Sequence, residues 1–256
     1  MELQRPFFAW VSMAVIAVAM SATAHADTMP VPLSIVSGAD LTSGVTMTGS
    51  NGNSLAVAKL GSTMDSDFYM SFTLDASYLG TMGDNDFVTL WMNNTGTFNP
   101  GFTDPTIGLK GNEGGSGTND LMLRLSGTGG TFANYDLDTE GGTVTILSKL
   151  SKTGGTLFDQ MEMWVFGGIN TSPLADLVTL AGTADAYAST SVGGSLSEIG
   201  YVGLRSANLS GGDMVTVDNV QFAAVVPEPG TWAMLGMGSL VGLALFFRKR
   251  QTALAA

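Results

Sequence analysis

Phe68-Tyr69-Met70-Ser71-Phe72-Thr73-Leu74 carries the pattern on which the fold turns. Phe68, Met70, Phe72 and Leu74 share one parity, and Tyr69, Ser71 and Thr73 share the other. Successive side chains of an extended chain point to opposite faces, so this stretch reads as a β-strand with one apolar and one mixed face. The same period returns in Leu121, Leu123 and Leu125, which alternate with Met122 and Arg124. It returns again in Val144, Ile146 and Leu150, set against Thr143, Thr145 and Lys149. Met161, Met163 and Val165 oppose Glu162, Trp164 and Phe166, where both faces are largely apolar. That predicts a strand buried between layers, and Phe87–Met92 reads the same way. Shorter candidates are Leu33–Val36, Leu55–Leu60, Ile107–Lys110, Ile199–Leu204 and Met214–Phe222.

Turn chemistry separates these runs. Ser50-Asn51-Gly52-Asn53, Gly83-Asp84-Asn85-Asp86, the stretch 111–119, Gly127–Gly130, Gly154-Gly155 and Gly211-Gly212-Asp213 supply the positive φ that tight turns require. About ten strands at this spacing predict an all-β protein, an antiparallel β-sandwich. Only Leu174–Ala188 reads as room for a short helix.

The two ends differ from the middle. Residues 1–26 have the form of a secretory signal peptide: Arg5 in the n-region, an apolar stretch from Phe7 to Met20, then Ala24-His25-Ala26 as the small-x-small cleavage pattern. The mature chain is expected to begin at Asp27. At the other end, Pro227-Glu228-Pro229-Gly230 precedes an apolar run over 231–247, closed by Arg248-Lys249-Arg250. Seventeen residues at about 1.5 Å each span roughly 25 Å, the lower edge of a transmembrane helix. The basic triplet acts as a membrane stop that holds the C-terminus in the cytoplasm and leaves 27–226 outside.

This ordered tripartite tail, 227–256, resembles a PEP-CTERM sorting domain, with Pro227, Glu228 and Pro229 as its motif. The resemblance implies processing by an exosortase in the inner membrane, transient tethering by the C-terminus, and release or transfer to the cell surface or extracellular matrix. It also implies a Gram-negative bacterium with an exopolysaccharide or biofilm system. In the middle, Phe68–Leu74, Phe87–Met92 and Ile107–Lys110 resemble the early sheet strands of concanavalin A-like, laminin-G-type jelly rolls. The stretch 142–165 resembles their central hairpin, with Lys149–Gly155 as its turn. Glu198–Arg205 and Val217–Val220 are similar to their last two strands. The resemblance covers roughly 40–222 and implies a jelly roll for the β-sandwich ectodomain, 27–226.

Composition closes off many functions. The net charge is −12, and residues 27–226 hold six Lys and Arg against twenty Asp and Glu. A nucleic-acid partner held through phosphate neutralisation is excluded by that balance. The chain has no Cys, and its one histidine, His25, lies in the signal peptide. Without either, Ser-His-Asp and Cys-His catalysis and thiolate or imidazole zinc sites are gone. No phosphate loop or dinucleotide fingerprint is present, so no organic cofactor is expected.

Carboxylates survive this exclusion. Glycoside hydrolysis needs only two, but the nearest local pair, Asp159 and Glu162, has an odd offset that sends them to opposite faces of one strand. The Glu-x-Asp-x-x-Glu pattern of glucanases on this fold is absent. Asp136, Asp138 and Glu140 alternate, so on an extended segment they line one face; they read either as a Ca²⁺ site or as a solvated strand edge. Trp91 and Trp164 read either as a sugar-stacking platform or as core. The function that follows is an exported, non-enzymatic surface or matrix protein that binds exopolysaccharide. The alternative is a carbohydrate-active enzyme with paired carboxylates.

Overall fold

The alternation closes into two antiparallel sheets packed face to face in the computed structural model, which describes residues 27–226 apart from 50–53, 81–82, 84, 99–102, 112–120, 128, 138–141 and 192. The signal-peptide residues Ala24 and Ala26, the motif Pro227-Glu228-Pro229, the apolar run 231–247 and Arg248-Lys249-Arg250 lie outside the described residues. Among those described, no helix is long and apolar enough to cross a membrane.

The strands are β1 (Asp27–Val31), β2 (Leu33–Ser37), β3 (Val45–Thr48), β4 (Ser54–Met64), β5 (Phe68–Tyr78), β6 (Phe87–Asn93) and β7 (Thr106–Lys110). They continue with β8 (Leu121–Arg124), β9 (Thr131–Phe132), β10 (Thr143–Ser151), β11 (Gln160–Gly167), β12 (Ala186–Thr190), β13 (Ile199–Ala207) and β14 (Met214–Val226). Sheet A has the order β1-β14-β5-β10-β11-β12, with β3 also on β14. Sheet B has the order β2-β4-β13-β6-β7-β8-β9. Strands distant in sequence pair, as in β5 with β14 and β4 with β13, so the chain crosses repeatedly between sheets in the manner of a jelly roll.

The apolar parity of each strand fills the space between the sheets. Phe68, Met70, Phe72 and Leu74 of β5 meet Val144, Ile146 and Leu150 of β10 and Met161, Met163 and Val165 of β11 on the inner face of sheet A. Val88, Leu90 and Met92 of β6, Ile107 and Leu109 of β7, and Val202 and Leu204 of β13 do the same for sheet B. Complete burial of such a side chain stabilises the fold by roughly 1.5–3 kcal/mol. Phe158 plugs one end: its ring meets Phe68 edge-on at 5.5 Å, and the Lys152 ammonium lies 4.8 Å from its centroid.

Three sequence expectations are corrected. The central hairpin turn runs from Lys152 to Asp159; Lys149 is still in β10, paired with Glu162 of β11. The helical stretch ends early: α1 spans Leu174–Leu180, a single 3-10 turn follows at Ala181–Thr183, and Ala186–Thr190 is β12. Seven residues make a marginal helix alone. It is held because Leu174 and Leu177 pack on Leu147, Phe166 and Ala223 of sheet A's outer face. Lastly, β11 is not enclosed between layers, since Glu162 and Trp164 on its outer face are only half-buried.

Phe158→Ala removes a ring that has no exposed surface. It should lower the unfolding free energy by about 3–5 kcal/mol, seen as a lower denaturant midpoint at unchanged slope.

Candidate functional site

With one parity of each strand spent on the core, the other parity forms the two outer faces. On sheet A the register lays Tyr69, Lys149, Glu162 and Ser189 in one row across β5, β10, β11 and β12. The next row holds Ser71, Leu147, Trp164 and Tyr187. Helix α1 covers the Leu147 and Phe166 region, with Tyr69 and Trp164 packed partly against that cluster and Ser71 buried, while Tyr187 and Ser189 of β12 are exposed. Tyr187 is 50% exposed, and its ring lies 5.6 Å from that of half-buried Trp164. The Tyr187 hydroxyl donates to Glu162 Oε1 at 2.8 Å, which fixes the carboxylate beside the ring pair. Lys149 Nζ sits 3.6 Å from Asp67 Oδ2 and 5.8 Å from the Tyr69 ring centroid. Burial, then the carboxylates Glu162 and Asp67, push the Tyr69 phenol above its usual range, so it remains a donor. The result is a surface with apolar ring faces and a fringe of oriented donors and acceptors.

Sheet B's outer face is different. Trp91 lies at its centre, between Gly203 of β13 and Thr106 of β7. It is buried, and its indole N–H donates to Thr89 Oγ1 at 2.7 Å. Phe98 lies flat over Gly203, where an added Cβ would come within 2.6 Å of the ring, so glycine is what admits it. Two guanidiniums reach the same indole: Arg205 at 4.5 Å and Arg124 at 5.2 Å from the ring centroid. Asp104 is buried nearby and accepts from Asn93 Nδ2 at 3.1 Å. Desolvation pushes its carboxyl above the ordinary range, against the opposing pull of Asn93, Thr103 and both arginines. Desolvation likewise lowers both arginines.

The predicted site residues are placed unevenly. Trp91 and Trp164 lie on the outer faces of different sheets, so they form neither one platform nor part of the inter-sheet core. The parity argument that assigns their neighbours to the core assigns them away from it. Asp159 and Glu162 do not form a pair either: Glu162 holds Tyr187, while Asp159 caps the hairpin turn. Asp138 and Glu140 lie outside the described residues, and Asp136 sits between the buried side chains of Tyr135 and Leu137. Among the described residues no group of three or more acidic or imidazole side chains is gathered to hold a metal ion. Sequence reasoning missed Tyr187, because β12 reads as the end of a helix. It also missed the convergence of Arg124, Arg205 and Asp104, which come from three separate segments.

Residues 225–250 match the PEP-CTERM protein-sorting motif, which indicates export and sorting through the C-terminus. No curated protein is similar enough in sequence to count as a relative. Solved structures similar in fold to this chain include lectin-like proteins and also a GH43 glycoside hydrolase. The metal-free lectin I-B4 of Griffonia simplicifolia has 10% identity and a TM-score of 0.46, with 80% of this chain and 96% of that one covered. A legume lectin-like domain from Entamoeba histolytica has 7% identity and a TM-score of 0.46, covering 77% and 91%. Arcelin-5 of Phaseolus vulgaris, a lectin-like defence protein, has 10% identity and a TM-score of 0.43, covering 78% and 98%.

The turn cap yields a pH prediction. Thr153 and Gly154 amides donate to Asp159 at 2.7 and 3.2 Å and hold its carboxyl below the ordinary 3.8. A folded pKa below the unfolded one gives stabilisation that is present above about pH 3.8 and lost as the pH falls through the lower folded value. Melting temperatures measured from about pH 5 down to about pH 2.5 should therefore fall less steeply for Asp159→Asn than for the parent. Identical acid dependence would mean that the ionised carboxylate does not hold this turn.

Proposed function

We propose that this chain is an exported, non-catalytic protein of the cell surface or extracellular matrix that holds exopolysaccharide on the outer face of sheet A. The observation that carries the reading is the partly exposed Trp164–Tyr187 ring pair with Glu162 fixed beside it by the Tyr187 hydroxyl. Sugar rings present apolar C–H faces edged by hydroxyls. A binding surface therefore needs aromatic faces for stacking and a few oriented acceptors and donors. Tyr69, Lys149 and Glu162 supply the second set in the adjacent row. These groups stand on three central strands and one edge strand, so the surface is preformed rather than assembled from loops.

Delivery follows from the tail. An exosortase in the inner membrane recognises Pro227-Glu228-Pro229, the apolar run 231–247 and Arg248-Lys249-Arg250 hold the chain for that encounter, and the body beginning at Asp27 is released or transferred. The absence of Cys, and of His beyond residue 25, supports binding rather than catalysis.

Two experiments test this. In a glycan-binding screen of the detergent-solubilised full chain, Trp164→Ala should weaken polysaccharide binding roughly ten-fold. Unchanged binding in that variant, or release of new reducing ends from the polymer by the parent, overturns the reading. For the tail, Glu228→Ala should leave an uncleaved form in the membrane fraction, measured by immunoblotting after fractionation. Unchanged release removes the exosortase assignment.

A further inference from the structure

The second feature concerns the opposite side of the sandwich and stands independently of the sheet A reading. Arg205 is 6% exposed, wedged between the Trp91 ring at 4.5 Å and the Phe87 ring at 5.8 Å. Its Nη1 is buried and has no hydrogen-bond partner. A guanidinium carries five donors in a rigid fork, and a buried donor left without an acceptor bears its full desolvation penalty. Aromatic faces offset part of the desolvation of its charge but offer no acceptor along the N–H direction. Asp104 attracts Arg205 electrostatically, and its own side-chain partners are Asn93 and Thr103. A second guanidinium, Arg124, lies 5.2 Å from the centroid of the same indole and repels the first. A chain with twenty acidic residues in this region has thus gathered two of its six basic side chains on one buried spot, where they oppose each other.

Solvent is close. The cross-strand neighbour of Arg205 on β4 is Leu55, which is 41% exposed, so the cation lies one side chain in from the surface. On the other side its neighbours in the row are Thr89 of β6 and Gly108 of β7, where the two backbones approach so closely that an added Cβ would come within 2.7 Å of the Val88 carbonyl oxygen.

We infer that the outer face of sheet B is an anion-binding site, in which Arg205 and Arg124 beside Trp91 receive the carboxylate or sulfate group of an acidic polysaccharide. An oxyanion is what a guanidinium fork matches in geometry: it accepts from the unsatisfied Nη1 and relieves the repulsion between the two arginines. Asp104 is then an internal competitor, a carboxylate already placed in the field of both cations. This gives a signature that a purely structural cluster lacks. Removing a structural carboxylate weakens everything around it, whereas removing a competitor tightens ligand binding.

The test is equilibrium titration of the detergent-solubilised full chain with polygalacturonate, dextran sulfate, neutral dextran and inorganic sulfate. The acidic polymers should bind. Arg205→Gln should weaken them by roughly ten- to a hundred-fold, with Arg205→Lys intermediate because it keeps the charge and loses the fork. Asp104→Asn should bind acidic polymer more tightly than the parent, and raised salt should weaken all of these interactions. Inorganic sulfate binding as well as the polymers, per anionic group, would assign the site to free anions and overturn the polysaccharide source. Neutral dextran bound equally well, or acidic polymer bound unchanged by both Arg205→Gln and Asp104→Asn, would overturn the site itself while leaving the sheet A surface to its own Trp164→Ala test. Circular dichroism of each variant separates loss of binding from loss of fold.

Discussion

Burial of one parity of side chains between two sheets governs the remainder of this structure. Phe68, Met70, Phe72, Leu74, Val88, Leu90 and Met92 are all fully enclosed or within a percent of it, and their strands sit on opposing sheets. Because the period of a strand is two, committing those positions to the core commits every intervening position to an outer face. Nothing about Trp164, Glu162, Lys149 or Tyr69 needs to be specified separately to bring them onto one surface; the core does it. The same commitment places Thr89, Trp91, Thr106, Arg124 and Arg205 together on the far side. Two chemically unlike faces, one open with aromatic and ionic fringe, one covered and cationic, are by-products of a single apolar layer.

A chain this acidic and this rich in glycine must also fix its turns. It does so with carboxylates used as acceptors rather than as charges. Asp213 accepts from the amides of Gly80 and Ser210, Asp86 from Gly83, Asp185 from Gly167, and Asp159 from Thr153 and Gly154. The ion pair of Lys149 with Asp67 lies near the surface and contributes little to stability. Part of the negative charge is thereby occupied in local hydrogen bonding.

The strands of the core were legible because their period is strict and their apolar residues are large. β1, β3, β9 and β12 were not, since they are two to five residues long and hold few core positions. β12 in particular, Ala-Tyr-Ala-Ser-Thr, has one buried residue, Ala188, and follows directly on a helical turn. It takes its extended form from pairing with β11, a contact between residues some twenty-five apart that local pattern does not contain. Tyr187 was lost with it, and with Tyr187 half of the ring pair. The likeness to a jelly-roll hairpin places Lys149 at the start of its turn; pairing with both β5 and β11 keeps the strand running two residues further.

Read alone, the chain establishes the sandwich class, the sorting tail and the lack of Cys throughout and of His beyond residue 25, because these rest on local period, on an ordered motif and on composition. Which cover lies over each outer face is another matter. Alternation states that Trp91 and Trp164 oppose the core parity of their strands; it does not state that one faces a loop bearing Phe98 and the other faces solvent. Nor does it bring together Asp104, Arg124 and Arg205, whose meeting depends on β13 inserting between β4 and β6 and on β8 following β7 in the same sheet. Strand order is set by the packing of the entire apolar layer, a sum over many long-range contacts, and no short window of sequence records that sum.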